Sequence, residues 1–310
     1  MADECLKYLA IKRNGVYIDA TIGGAGHALL ILERLSGENA VLVGIDRDRE
    51  ATAVSSSRLA DRDRELGGRA RCEVVCSNHV NIDKICDELD IAAPDGILLD
   101  LGVSSYQFGE VERGFSYRYD APLDMRMDQS GGLTAADIVN QYSERELTDI
   151  IYKYGEERWA ARIAKFIVGY RGKSPIRTTG DLVDVILAAV PKNARDTRQH
   201  PARRTFQAIR IAVNDELGTI AVTLNKAAEL LNGGGRLVVI SFHSLEDRIV
   251  KNTINELASG CICPKDLPVC VCGRQAILKK ITGKPVLPAG DEIQRNPKAR
   301  SAKLRVAEKI

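Results

Sequence analysis

Short apolar runs bounded by polar residues recur through the first hundred positions, at residues 16–20, 41–45, 70–76 and 95–100. Runs of that length, too short for a helix and without its period, read as strands buried on both faces. Stretches with helical period lie between them, and strands alternating with helices imply a parallel sheet covered on both sides. The alternation stops at Asp100. Residues 101–128 are polar, glycine-containing and aromatic, and residues 134–190 read as helices alone, most clearly at 144–152, 156–170 and 181–190. Strand patterns return at 235–240, 277–281 and 303–307. The pattern predicts an α/β domain with a mostly parallel sheet, interrupted by an all-helical insertion. The expected divisions are residues 1–109 and 203–310 for the α/β domain and 110–202 for the insertion.

Unusual residues fall where the predicted strands end. The first run ends in Asp19-Ala20-Thr21-Ile22-Gly23-Gly24-Ala25-Gly26-His27, the second in Asp46, the fourth in Asp100-Leu101-Gly102-Val103-Ser104-Ser105-Tyr106-Gln107, and the later one in Ser241-Phe242-His243-Ser244. Taken singly, Ser104 or Ser244 reads equally well as a helix cap. Together the four ends predict a ligand crevice, because an open parallel sheet binds ligands beyond its carboxyl edge at the switch point. Amides at the helix start after the glycine turn can hold an anion. Asp46, twenty residues past Gly26, can accept from a ribose diol.

The turn departs from a dinucleotide fingerprint. Counting G-x-G-x-x-G from Gly24 puts Leu29 at the third glycine. Asp19 would repel a pyrophosphate, whereas it suits the ammonium of an amino-acid cofactor such as S-adenosylmethionine, whose carboxylate the turn amides can take.

Composition narrows the partners. A chain of 310 residues, 45% of them hydrophobic, can fill a sizeable core. Its net charge of +2 announces no polyanionic partner, so any nucleic-acid site must come from local clusters. Lys192, Arg195, Arg198, Arg203, Arg204 and Arg210 form one, and Arg295, Lys298, Arg300, Lys303, Arg305 and Lys309 another. Either cluster alone reads first as a solvated face. No run reaches the length of a membrane span and the first residues lack a secretory pattern, so a cytoplasmic protein without a membrane partner is expected. The eight cysteines are then thiols or metal ligands. Cys261-Ile262-Cys263 and Cys270-Val271-Cys272 could close a four-thiolate zinc site. Since C-x-C is less diagnostic than C-x-x-C, uncommitted thiols are expected and no metal is assigned.

Several stretches together resemble one family. They are residues 19–27, 100–107 and 241–248, Arg113-Gly114-Phe115-Ser116, Pro122-Leu123-Asp124-Met125-Arg126-Met127, Gly155-Glu156-Glu157, residues 203–217 and Asn296-Pro297-Lys298-Ala299-Arg300-Ser301. In this order they resemble the RsmH or MraW family of bacterial 16S rRNA (cytosine-N4)-methyltransferases, across residues 16–310. The resemblance implies a Rossmann-like class I methyltransferase domain with an inserted helical domain that recognises substrate. It implies S-adenosylmethionine as cofactor and the exocyclic N4 amine of a decoding-centre cytidine, in 16S rRNA of the small ribosomal subunit, as acceptor. The cofactor contacts it carries over are Ala25, Gly26, His27, Asp46, His79, Asp100 and Gln107. Ala25 stands where the family usually has glycine, and His79 where an aromatic such as phenylalanine is common.

The N4 amine of cytosine is a poor nucleophile because its lone pair is delocalised into the ring. Methylation there needs alignment and a hydrogen-bond acceptor, for which Asp100 is the first candidate and His243 the second. Methylation at ring carbon would need a cysteine nucleophile, and no cysteine follows Asp100 or Ile240 on their loops, although Cys76 lies near the third strand. Tyr106, Phe115, Phe242 and His243 are candidates to hold a flipped base. On residues 203–217, Phe206, Ile209, Val213 and Leu217 form the predicted buried stripe, and Arg203, Gln207, Arg210 and Asn214 a face for RNA phosphates. The rival readings are an NAD-dependent oxidoreductase and a non-catalytic RNA-binding factor in ribosome assembly. Whether the chain forms a homodimer is left open.

Overall fold

The computed structural model describes residues 1–310 apart from Glu38, residues 196–198, Ile262, residues 264–268 and Cys270, and the backbone alone of Ser105 and Tyr106. Seven strands form one sheet: β1 Val16–Asp19, β2 Val41–Asp46, β3 Arg71–Cys76, β4 Gly96–Asp100, β5 Arg236–Ser241, β6 Leu278–Lys280 and β7 Lys303–Lys309. Their order is β3-β2-β1-β4-β5-β7-β6. The first five strands are parallel and β7 runs antiparallel between β5 and β6. The order reverses between β1 and β4, which fixes the crevice at their carboxyl ends.

The central strands β1, β2, β4 and β5 are largely apolar because both of their faces are covered. Ile18, Val43, Ile97, Leu99, Leu237 and Val239 point to one side, against Leu224, Ala227, Leu231, Val250 and Ile254 of the helices Glu216–Leu230 and Ser244–Leu257. The alternate residues Tyr17, Leu42, Leu98, Val238 and Ile240 point to the other, against Leu6, Leu9, Ile31, Leu32 and Leu59. Alternation at period two thus serves two cores rather than one core and solvent.

The chain divides into two compact units, Met1–Gly102 with Leu217–Ile310, and Val103–Glu216. The expected divisions at 109/110 and 202/203 fall elsewhere. The helix Ala202–Asn214, assigned from its pattern to the α/β part, buries Phe206 and Ile209 with Leu147, Ile151 and Ile163 in the helical unit's own core. Its apolar stripe is used up by helical neighbours.

Helix starts in the second unit follow their caps. Thr134, Ser143 and Thr178 each form a reciprocal capping box, with Asp137, Glu146 and Asp181. The predicted helix at 156–170 begins instead at Ala160. Helix Glu144–Gly155 ends with Glu156 in the left-handed region at φ 48°, and the intervening residues turn the chain. Gly155 sits where a Cβ would stand 2.7 Å from the carbonyl oxygen of Arg204. Only glycine lets these two helices approach so closely. No helix among the described residues is long and apolar enough to cross a membrane.

Candidate active site

The carboxyl ends of β1, β2, β4 and β5 are tied to one another by backbone bonds. Ala20 N donates to Leu98 O at 2.8 Å, Ile22 N to Ile45 O at 2.9 Å and Leu101 N to Ile240 O at 3.0 Å. Asp100 N donates to the Thr21 hydroxyl oxygen at 2.6 Å. The turn after β1 and the loop after β4 are therefore joined into one hydrogen-bonded floor.

Three carboxylates line this floor. Asp19 is 1% exposed and accepts from Thr21 N at 3.2 Å. Burial lifts its carboxyl to about 7, against the lowering effects of nearby His27 and of the Thr21 amide. Asp46 accepts from Gly23 N and Asp48 N, both at 2.9 Å, through different oxygens. Each oxygen retains a lone pair for a further donor. Burial also raises Asp46, against those two backbone bonds. Asp100 is raised by burial, with His27 and the N-terminal ammonium opposing and Glu246 reinforcing the rise.

His27 Nδ1 lies 3.7 Å from Asp100 Oδ2, too long for a hydrogen bond. His27 Nε2 and Asp100 Oδ1 are buried with no hydrogen-bond partner. Burying such atoms without partners costs free energy, so they mark a place shaped for a polar ligand.

Ala25 adopts the left-handed conformation, φ 66° and ψ 19°, while fully buried. It belongs to the same apolar core as Ile22, Ala28 and Leu32, and Ala25 N donates to Ile22 O at 2.8 Å. The backbone angles of a glycine are thus kept by an alanine, at a cost of about 1–2 kcal/mol offset by packing. Gly26 and His27 open the seven-residue helix Gly26–Leu32, whose first amides have no intrahelical carbonyl.

The remaining expected contacts have their own local partners. His79 begins a short 3-10 turn, is 9% exposed, and its Nδ1 lies 2.7 Å from the Thr223 hydroxyl. Because Thr223 donates its hydroxyl hydrogen to Thr219 O, His79 must donate from Nδ1, which leaves Nε2 as an acceptor. Burial lowers its pKa to about 4, with Arg47 adding to the effect, so the ring is neutral. Gln107 lies in the second compact unit, where its Oε1 accepts from Ser104 N at 3.0 Å and its own N–H donates to Ser104 Oγ at 3.1 Å. His243 caps the helix Ser244–Leu257: its Nδ1 accepts from Glu246 N, and Glu246 Oε2 accepts from Phe242 N and His243 N. His243 Nε2 is 3.0 Å from Glu246 Oε1 without hydrogen-bond alignment.

All residues, 1–310, match the MraW methylase family. The chain belongs to that family. It is 52% identical to the ribosomal RNA small subunit methyltransferase H of Clostridioides difficile, covering 100% of this chain and 97% of the relative. It is 54% identical to that of Geotalea uraniireducens and 53% identical to that of Acetivibrio thermocellus, with the same coverage. The MraW methylases are S-adenosylmethionine-dependent, and the fold seen here is the Rossmann-like methyltransferase fold expected of them.

In this MraW methylase several residues that patterning left unmarked hold the site. Thr21 binds the end of β4, Ser55 donates to Gly23 O, Arg58 donates to Gly24 O at 2.7 Å, and buried Glu246 organises residues 242–243. Glu246 was legible as the fourth member of a cap box, His243-Ser244-Leu245-Glu246. Ser55 carries no comparable signal.

Other expectations need correction. Phe115 is 5% exposed within the second unit's core and is core packing. Tyr106's side chain, Arg198 and Cys270 lie outside the described residues. Helix Ala202–Asn214 ends where Asp215 turns left-handed at φ 46°, so Leu217 is not on its stripe. The face opposite Phe206 is not a free polar face either. Asn214 is 8% exposed and bonds Met127 N and Met125 O, Gln207 donates to Tyr154 O, and Arg210 holds Glu216 through two bonds of 2.8 and 2.9 Å. In the tail, Lys303 and Arg305 both bind Asp247, Arg295 binds Asp291, and Lys309 donates to Ala228 O. Much of both basic clusters is thus internal cross-linking, which charge counting cannot distinguish from a binding face.

Proposed function

We propose that this protein methylates the exocyclic N4 amine of a decoding-centre cytidine in 16S rRNA of the small ribosomal subunit. The coarser part of this reading, methylation of small-subunit rRNA, is supported by the full-length family match and by the names of relatives that share half its residues. The observation that carries it into the geometry is the pair of unpartnered buried atoms, His27 Nε2 and Asp100 Oδ1, at the switch point of the sheet.

The residues of the crevice fit S-adenosylmethionine. Asp19 would meet the ammonium, whose charge would stabilise the carboxylate against its burial. The turn at Ala25, Gly26 and His27 would face the carboxylate, Asp46 the ribose hydroxyls, and His79 the adenine, with Asp100 completing the set within this unit. S-adenosylmethionine, when bound, supplies an electrophilic methyl group on a sulfonium.

Asp100 is the acceptor for an N–H of the cytosine amine. A carboxylate in that position orients the amine and draws its lone pair out of conjugation. It must be ionised to do so, and His27 and the N-terminal ammonium oppose the burial that raises its pKa without cancelling it. His243 acts as the cap that fixes Phe242 beside Gly102, whose Cβ position lies 3.9 Å from the Phe242 ring. Within the helical unit Arg158, Arg195, Arg204 and His200 surround Trp159 in one concavity. Guanidinium groups with an aromatic ring suit phosphate and exposed bases, which supports RNA contact by this unit.

Calorimetry with S-adenosylhomocysteine and with NADH tests the cofactor half of the proposal. Binding of the first and not the second is expected, and tight NADH binding would restore the oxidoreductase reading.

A further inference from the structure

Three cysteines stand together outside the crevice, on the loop between helix Ser244–Leu257 and β6. The sulfurs of Cys261, Cys263 and Cys272 all lie within 4.8 Å of one another. Cys272 Sγ is 3.8 Å from Cys261 Sγ. A disulfide needs about 2.05 Å. Two thiolates bound to one zinc at the usual Zn–S length of about 2.3 Å stand roughly 3.8 Å apart on a tetrahedron edge.

Backbone amides also point at these sulfurs. Cys263 N–H donates to Cys261 Sγ and Val271 N–H to Cys263 Sγ, both at 3.4 Å. N–H donors favour the thiolate over the thiol, and thiolate is the form that binds metal. The described part of the loop has no apolar core of its own. None of its described residues from 259 to 277 is buried, and Val269 and Val271 are 70% and 77% exposed. A segment without an apolar core is the setting in which metal binding supplies the ordering free energy.

We propose that Cys261, Cys263 and Cys272 bind one structural zinc ion that closes this loop. The proposal is independent of the methyltransferase reading and reverses the expectation of uncommitted thiols drawn from C-x-C spacing. Spacing weighs only how often such pairs bind metal, whereas the fold brings Cys261, Cys263 and Cys272 together.

The test uses the full chain, produced in zinc-replete medium and purified without chelators. Metal analysis is expected to find about one zinc per chain, as a closed thiolate site requires. The double variant Cys261→Ser/Cys272→Ser is expected to lose at least nine-tenths of it while keeping wild-type affinity for S-adenosylhomocysteine, which verifies its fold. Should that variant fail to fold, cobalt(II) chloride added to the metal-stripped wild-type chain decides, through thiolate-to-cobalt charge-transfer absorption and tetrahedral d–d bands. Wild-type protein with no stoichiometric zinc, a folded double variant that retains it, a Cys261–Cys272 disulfide in fresh protein, or cobalt without those bands would overturn the proposal.

Discussion

The backbone N–H of Asp100 donates to the hydroxyl oxygen of Thr21, at 2.6 Å, across the switch point between β4 and β1. This bond couples the residue proposed to accept from the substrate amine to the turn proposed to hold the cofactor. Thr21→Val keeps the shape but removes the acceptor. An unsatisfied amide there costs about 1–3 kcal/mol. Urea unfolding should register that loss, and calorimetry should register weaker binding of S-adenosylhomocysteine. Unchanged values in both would mean that the bond does not organise the site.

Asp19 makes the ligand-free protein sensitive to pH. Its carboxyl rises from 3.8 to about 7 in the folded state because of burial. The folded form therefore binds more protons than the unfolded chain between those values, and stability falls as pH increases through that window. The contribution is complete below the lower value and lost above the upper one. Asp46 and Asp100 are raised as well, so the informative quantity is the difference between wild type and Asp19→Asn. Thermal unfolding of the variant should show a shallower decline with pH. The affinity of the wild type for S-adenosylhomocysteine should rise over the same range as Asp19 ionises, and the variant should lack that rise.

Ala25 predicts an asymmetry between two substitutions. Ala25→Gly relieves a left-handed penalty of about 1–2 kcal/mol but loses a buried methyl worth about 0.8 kcal/mol and adds unfolded-state entropy. Its stability should stay within about 1 kcal/mol of wild type. Ala25→Val adds branching at φ 66° in a fully buried position and should cost more than about 2 kcal/mol. Equal effects in chemical denaturation would contradict this account of the turn.

Two arginines on one helix should behave differently. Arg210 makes two bonds to Glu216, which is 6% exposed, so Arg210→Ala removes the guanidinium of a buried ion pair and should destabilise the protein by about 3 kcal/mol. Arg204 is exposed and lines the concavity around Trp159. Arg204→Ala should leave stability almost unchanged, weaken binding to small subunits, and reduce its salt slope by about one. Filter binding across a salt series separates the two.

Much of the fold was legible because its central strands are short apolar runs ending in charged or small residues, as at Ile18-Asp19 and Leu99-Asp100. Glycine and acidic residues beyond those ends marked the crevice. The helix expected at residues 156–170 starts later, at Ala160, because Glu156 ends the preceding helix in the left-handed conformation, which the apolar period alone does not report. The polar face of residues 203–214 was misread for a related reason. Arg210, Gln207 and Asn214 have the residue types of a solvent face, yet their partners come from elsewhere in the helical unit. Period and composition report one element at a time, whereas these side chains answer to two. The thiols are the converse case, since weak spacing gains meaning once Cys261 and Cys272 are seen together.

The central claim is tested most directly by incubating small ribosomal subunits that lack the modification with the protein and S-adenosylmethionine, then locating the new methyl group by mass spectrometry of 16S rRNA fragments. One methyl on N4 of a decoding-centre cytidine, absent with Asp100→Ala that still folds, is the predicted result. A methyl on another base or on protein, or full activity in that variant, would contradict the account.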